Sequence, residues 1–226
     1  MTSTEELLGH HSVQILKLEA GDLPRVSAIH LAAFPKSALT MLGAEAVRRY
    51  YEWLLTGPHE CLALGASVNA DIRGFCFGGV FSGAMSGFLR RNRAFLVGRI
   101  LSHPQLCTNP IFRNRATAGM RILRRFGRQP SSTLSSADHP VSKPPSPFGI
   151  LAIAVHPDSN GRGIGKALMF EAEQTARRRD FKEMQLTVEM SNHRAVSFYE
   201  SLSWTKTLDQ GAWHGEMRKS LGSGSV

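Results

Sequence analysis

Residues 149–155, GILAIAV, run directly into HPDSNGRGIG and then into KALMFEAEQTARR, and this stretch constrains the fold more than any other. The first part is an unbroken apolar run with glycine before it and His156-Pro157-Asp158 after it, which predicts a buried strand. In the last part apolar residues recur at Ile164, Leu168, Ala172 and Ala176, the spacing of one helix face. A strand, a glycine loop and a helix in that order aim successive backbone N–H groups and the positive end of a helix dipole at one point. Such a point suits an anion. Glycine lets the backbone approach closely, because no Cβ intervenes.

Spacing decides which phosphate-binding pattern this is. A nucleotide P-loop requires G-x-x-x-x-G-K-[ST]; here Asn160 stands at the first glycine and Ala167 at the metal-binding hydroxyl. The dinucleotide fingerprint requires G-x-G-x-x-G early in a βαβ unit, whereas Gly161, Gly163 and Gly165 give G-x-G-x-G late in the chain. Neither pattern fits. Downstream, EMQLTVEM (183–190) reads as a second strand, followed by SNHRAVSFYESLSW (191–204), in which Asn192, Ala195, Phe198 and Tyr199 form N-x-x-A-x-x-F-Y.

Taken together, the two stretches resemble the motifs of the GNAT superfamily of acyl-CoA-dependent N-acyltransferases. That family carries [QR]-x-x-G-x-[GA] on a strand–loop–helix and then N-x-x-A-x-x-[FL]-Y-x-x-x-G-[FW]. Two positions depart from it. Asn160 stands where Gln or Arg is preferred, and Ser203 replaces the glycine before Trp204, which is expected to alter a turn more than the chemistry.

The resemblance implies an α/β fold with a GNAT-like mixed, mostly antiparallel central sheet, helices on both faces, and a helical insert between the third and fourth strands. It implies acetyl-CoA as co-substrate and no metal. Its pyrophosphate would lie on Gly161, Arg162, Gly163, Ile164, Gly165 and Lys166, with Asn160 orienting the loop. The two motif strands would splay, and the thioester would lie between them against main-chain groups of Ile153, Ala154 and Val155. Asn192 and Ala195 would border the cofactor arm, although Asn192 also suits a helix cap. Tyr199 would protonate the departing thiolate, or else simply pack against the core. Glu189 and His156 are the available bases, because strand 149–155 carries no acidic residue. His30 and Tyr51 fall on early helices that wall the acceptor site in this family; each alone reads as structural.

The implied function is N-acetyl transfer to a primary amine by direct attack. FPKSALTMLG (34–43) resembles a segment of members linked with amino-sugar and polysaccharide biosynthesis, so an amino sugar or another small metabolite is the expected acceptor. The alternative is a CoA-binding or surface-docking module on the same fold with little turnover.

Composition narrows the rest. At 226 residues one domain, or one elaborated domain, is expected, long enough for a sizeable core; the resemblance implies that it is a single acyltransferase domain spanning 1–226. No run approaches the roughly 20 apolar residues of a membrane span. MTSTEELLGHH has acidic residues where a secretory signal would be basic, so a cytoplasmic location is expected. Cys61, Cys76 and Cys107 offer no C-x-x-C pair, which argues against a disulfide framework or zinc site.

Strands are expected at 13–20, 60–68 and 72–80, with the latter two joined near Asn69-Ala70-Asp71, and a closing pair at WTKTL and WHGEMRKSL; helices are expected at 23–33 and 43–55. Between the third and fourth strands, 81–128 should hold helices near 84–101 and 111–126, followed by a mobile Pro/Ser-rich linker at 129–148. Segment 81–128 contains ten arginines and no Asp or Glu, against a net charge of +9 for the whole chain. Three readings of this insert stand: solvated helices, recognition of an anionic acceptor by bidentate arginines, or docking on a membrane or nucleic acid.

Overall fold

The computed structural model describes residues 12–81, 83–104 and 146–222. The hairpin signal sits where the chain turns: Asn69 and Ala70 take positive φ of 53° and 62° and join β2 (Glu60–Val68) to β3 (Asp71–Val80). Two successive left-handed residues match the right-handed twist of the flanking strands. Around this hairpin the sheet has seven strands in the order β1-β2-β3-β4-β5-β7-β6. The others are β1 (Gln14–Lys17), β4 (Phe148–Val155), β5 (Glu183–Thr187), β6 (Thr205–Asp209) and β7 (Ala212–Ser220). Only β4 and β5 pair in parallel; every other neighbour is antiparallel.

Period-2 alternation sends β3 side chains to two separate cores. Phe75 and Phe77 face α1 (Leu23–Ala33), α3 (Ala44–Thr56), α4 (Ala84–Arg91) and α5 (Arg93–Ser102). Cys76 faces α6 (Ile164–Arg178) and α7 (His193–Ser201). On β4, Ala152 and Ala154 look towards the first group, and Ile153 and Val155 towards the second. The predicted apolar stripe of α6 is fully buried: Ile164, Leu168, Ala172 and Ala176 are each at most 1% exposed. Helix α1 ends at Ala33, since Pro35 disfavours helical geometry in the residue before it.

Several expectations need correction. The helix expected over 84–101 is two, α4 and α5, broken at Asn92, whose φ of −107° and ψ of 17° leave the helical region. Its side-chain Nδ2 donates to the Phe88 carbonyl at 3.1 Å, competing with continuation of the helix. A short helix α2 (Ala38–Met41) lies inside the 34–43 segment, capped by Ser37. Phe148 belongs to β4, not to the linker, and is wholly buried. The second motif strand stops at Thr187 instead of residue 190. The helix expected at 111–126 and the rest of the 129–148 linker lie outside the described residues, apart from Ser146, Pro147 and Phe148.

Ser203 does not alter its turn. It adopts φ of +65°, the left-handed conformation that a glycine there would take. The Ser203 N–H donates to the Glu200 carbonyl and the Trp204 N–H to the Tyr199 carbonyl, closing a Schellman motif at the end of α7. The Trp204 ring then lies 6.0 Å from that of Tyr199, the apolar contact that accompanies such a motif.

Candidate functional site

The sheet parts between its two parallel strands. β4 pairs with β5 only at Phe148↔Met184, Gly149↔Gln185 and Ile150↔Leu186. Its opposite edge stays paired with β3 as far as Val155↔Gly74. Alternate residues of an antiparallel strand turn their N–H and C=O groups to the other side. Every second residue of 151–155 therefore presents its main chain to the gap.

Two local features drive the parting. On β4 the register with β3 slips between Phe77 and Gly78, leaving Leu151 as the extra residue of a β-bulge. A bulge increases local twist and bends its strand. Leu151 is 40% exposed, an unusual state for a central-strand leucine, and follows directly on Ile150, the last residue of β4 paired to β5. On the other side, the Val188 N–H donates to the Gly215 carbonyl at 2.8 Å, drawing the end of β5 towards β7. Gly215 has φ of +90°, and a Cβ there would stand 2.3 Å from the Val188 oxygen. Only glycine fits that approach.

At the C-terminal end of β4 the chain passes His156 and a single 3-10 turn (Pro157–Ser159) into the glycine loop. The three glycines differ in kind. Gly161 and Gly163 have φ of +79° and +75°, and no described residue lies within 4 Å of a Cβ placed on either, so none of them closes over the loop at these points. Gly165 is already helical and makes room for the Phe198 ring, 3.4 Å from its would-be Cβ, with Val155 Cγ2 at 3.8 Å. Gly163 is the N-cap of α6 and supplies no side-chain cap, leaving the first N–H groups of the helix without that partner. Arg162 and Lys166 are exposed beside them and form no ion pair with any described residue. A loop that is backbone-lined, cationic and uncapped fits a diphosphate.

Helix α7 closes the second side. Asn192 caps it, its Oδ1 accepting from the Ala195 N–H at 3.1 Å; Ala195 is half-buried. Tyr199 is 8% exposed, beside Phe198 at 5.3 Å between ring centroids. Its hydroxyl makes no hydrogen bond with any described residue, and burial, followed by the nearby Cys76 thiol, pushes its pKa up. The phenol therefore keeps its proton at neutral pH.

The base candidates are less enclosed. Glu189 is exposed beyond the end of β5, and its carboxylate accepts from the Ser191 hydroxyl at 3.3 Å. His156 Nδ1 accepts weakly from the Asp158 N–H at 3.4 Å, with the Asp158 carboxylate 3.6 Å away. Asn160 is exposed at the start of the loop.

His30 and Tyr51, which read separately as structural, meet on the opposite face of the sheet. His30 Nδ1 lies 2.8 Å from the Tyr51 hydroxyl and Nε2 lies 3.3 Å from Ser37 Oγ. Ser37 Oγ donates to Thr40 Oγ1, which donates to the Phe34 carbonyl. Since the Ser37 proton is already committed, His30 must carry its proton on Nε2 and accept from Tyr51 at Nδ1. Sequence spacing carries no sign of this chain of bonds, because its members lie on three elements. The Leu151 bulge was equally hidden, since an apolar run does not reveal its register.

A mixed, mostly antiparallel sheet opened between two parallel strands, with a glycine loop after the first of them, is the N-acetyltransferase fold. Solved structures share it. The ribosomal-protein-S18-alanine N-acetyltransferase from Escherichia coli superposes with a TM-score of 0.54 at 16% identity, covering 95% of this chain and 97% of that one. The PaiA N-acetyltransferase from Thermoplasma acidophilum, in complex with coenzyme A, gives 0.53 at 14% identity over 92% and 99%. YncA of Salmonella typhimurium, a putative acetyltransferase with acetyl-CoA, gives 0.51 at 16% identity over 95% and 97%. No curated protein sequence matches this chain. The sequence model of the acetyltransferase (GNAT) family matches residues 24–204. The chain belongs to that family and is an acyltransferase. No helix among the described residues is long and apolar enough to cross a membrane, and no described cluster of His, Cys, Asp or Glu could hold a metal ion.

Proposed function

We propose that this protein transfers the acetyl group of acetyl-CoA to the primary amine of a small molecule, by direct attack of the amine on the thioester. The parting of β4 from β5 after Ile150 and Leu186 carries this reading, because it offers unpaired strand main chain in the middle of the sheet. We also read residues 1–226 as one catalytic domain with a basic insert between β3 and β4.

Acetyl-CoA supplies an activated acyl group on a thiol leaving group. Gly161, Gly163, Ile164, Gly165 and Lys166 hold its pyrophosphate through loop and helix N–H groups, with Arg162 and the Lys166 ammonium adding charge. Main-chain groups of Ile153 and Val155 bind the extended arm as an added strand would, Ala154 between them being paired to β3, and Asn192 and Ala195 border the arm from α7. An N–H near Val155 donates to the thioester oxygen as charge develops there, a contribution of about 3 kcal/mol in comparable sites. Tyr199, protonated and without a described hydrogen-bond partner for its hydroxyl, gives its proton to the departing sulfur. Glu189, just past the strand that flanks the gap, takes the proton released by the amine.

A panel of small amines, amino sugars among them, incubated with acetyl-CoA and followed by release of free thiol, tests the reading. Turnover of at least one amine with intersecting initial-rate lines is expected. Parallel lines together with an acetylated enzyme detected by intact mass would contradict direct attack.

A further inference from the structure

The outer face of α5 is built against what water favours. Arg93, Ala94, Val97, Gly98 and Leu101 all point outwards; Val97 is 55% exposed and Leu101 75%. These positions share one helix face. No described residue lies within 4 Å of a Cβ placed on Gly98, so none of them covers the face at that point. The exposed side of α3 shows the ordinary solution: Glu45, Arg48, Arg49 and Glu52 pair with one another. On α5 no acidic residue is available, and Arg93, with Arg90 at the end of α4, forms no ion pair with any described residue.

This surface is held rigidly. Trp53 Nε1 donates to the Ala84 carbonyl at 2.8 Å, Arg91 lies over the Trp53 ring at 5.7 Å, and Arg49 lies over Phe95 at 4.3 Å. Arg99 reaches back to the Leu42 carbonyl at 2.9 Å. Some arginines of the insert thus serve as struts. Arg90 and Arg93 remain exposed, Arg93 on the face that carries the apolar stripe and Arg90 at the end of α4 beside Trp53 and His59, within a segment of ten arginines without one carboxylate.

We propose that the outer face of α5 docks on an anionic lipid surface, with Val97 and Leu101 entering the acyl boundary and Arg90 and Arg93 meeting headgroup phosphates. Charge complementarity selects an anionic partner, and the exposed aliphatic stripe selects lipid over nucleic acid. A phosphate backbone would engage the arginines and leave Val97 and Leu101 in water. Base stacking would need exposed aromatics, but Phe88 is 1% exposed and Phe95 is half-buried under Arg49. A basic, apolar helix face lying in the interface plane is the known physical form of such binding.

The test is co-sedimentation of the full-length protein with vesicles of phosphatidylcholine alone and of phosphatidylcholine with phosphatidylserine. Binding to the anionic vesicles and little to the neutral ones is expected. Val97→Ser with Leu101→Ser should weaken it about tenfold or more, since buried apolar area carries part of the affinity. Arg90→Gln with Arg93→Gln should weaken it about fivefold per arginine and flatten its salt dependence. Coenzyme A binding, measured by calorimetry, should be unchanged in both variants, which shows that they are folded. Three results would overturn the proposal: no preference for anionic vesicles, unchanged vesicle binding in the serine variant, or duplex DNA binding stronger than vesicle binding and indifferent to the serine changes. A fall in thermal stability of the serine variant would also overturn it, because it would mean that the rest of the chain already covers the face.

Discussion

Tyr199 and Ser203 belong to one small device. The left-handed Ser203 closes the Schellman turn, the turn seats Trp204 on Tyr199, and the Tyr199 carbonyl accepts the closing bond. The cost falls on Ser203, since a non-glycine residue at positive φ is strained by about 1–2 kcal/mol. Ser203→Gly should therefore raise stability by about 1 kcal/mol, the relieved strain less the added freedom of the unfolded chain, as read from denaturant midpoints. Tyr199→Phe removes only the hydroxyl. If the phenol protonates the thiolate, kcat should fall by about 10²–10⁴ with little change in KM for acetyl-CoA. Unchanged turnover would reduce Tyr199 to packing. His30 gives a prediction of a different kind. Burial lowers its pKa from an ordinary 6.5 to about 4, so between these values the unfolded chain binds the extra proton. Stability from this group is complete above pH 6.5 and is lost as pH falls towards 4, by about 3 kcal/mol in all. His30→Asn should flatten the dependence of melting temperature on pH across that window.

At the scale of elements, α6 and its loop make the cleanest test of the anion site. Asn and Asp tolerate left-handed φ better than other side chains, so Gly163→Asn and Gly163→Asp strain the backbone to a similar degree and differ in charge. Calorimetry with coenzyme A should show a modest loss for the first and at least a further tenfold loss for the second. Equal losses would separate the cradle from the phosphates.

This loop was legible in the sequence because its chemistry is local: alternating glycines after an apolar strand leave few alternatives. Strands β2 and β3 were legible for a similar reason, being dense in apolar residues and joined by turn residues. The break at Asn92 was not, since it depends on where one amide side chain points. The end of β5 at Thr187 was not either, since Gly215, far along the chain, draws Val188 away. The parting of the strands was expected from the resemblance alone; its two physical causes, the Leu151 bulge and the Gly215 approach, emerge only from long-range register.

Across the whole molecule, the sheet separates two cores and opens between β4 and β5. Helices α6 and α7 flank the opening on one face, while α1, resting on Ala152 and Ala154, covers the other. The most direct test of this account is residue-resolved amide hydrogen exchange with and without acetyl-CoA. Added acetyl-CoA should slow exchange at the gap-facing amides of residues 151–155 and at the loop and first helical turn, 161–166. Protection confined to other elements, or none at saturating acetyl-CoA, would contradict the claim that the gap between β4 and β5 receives the acyl donor.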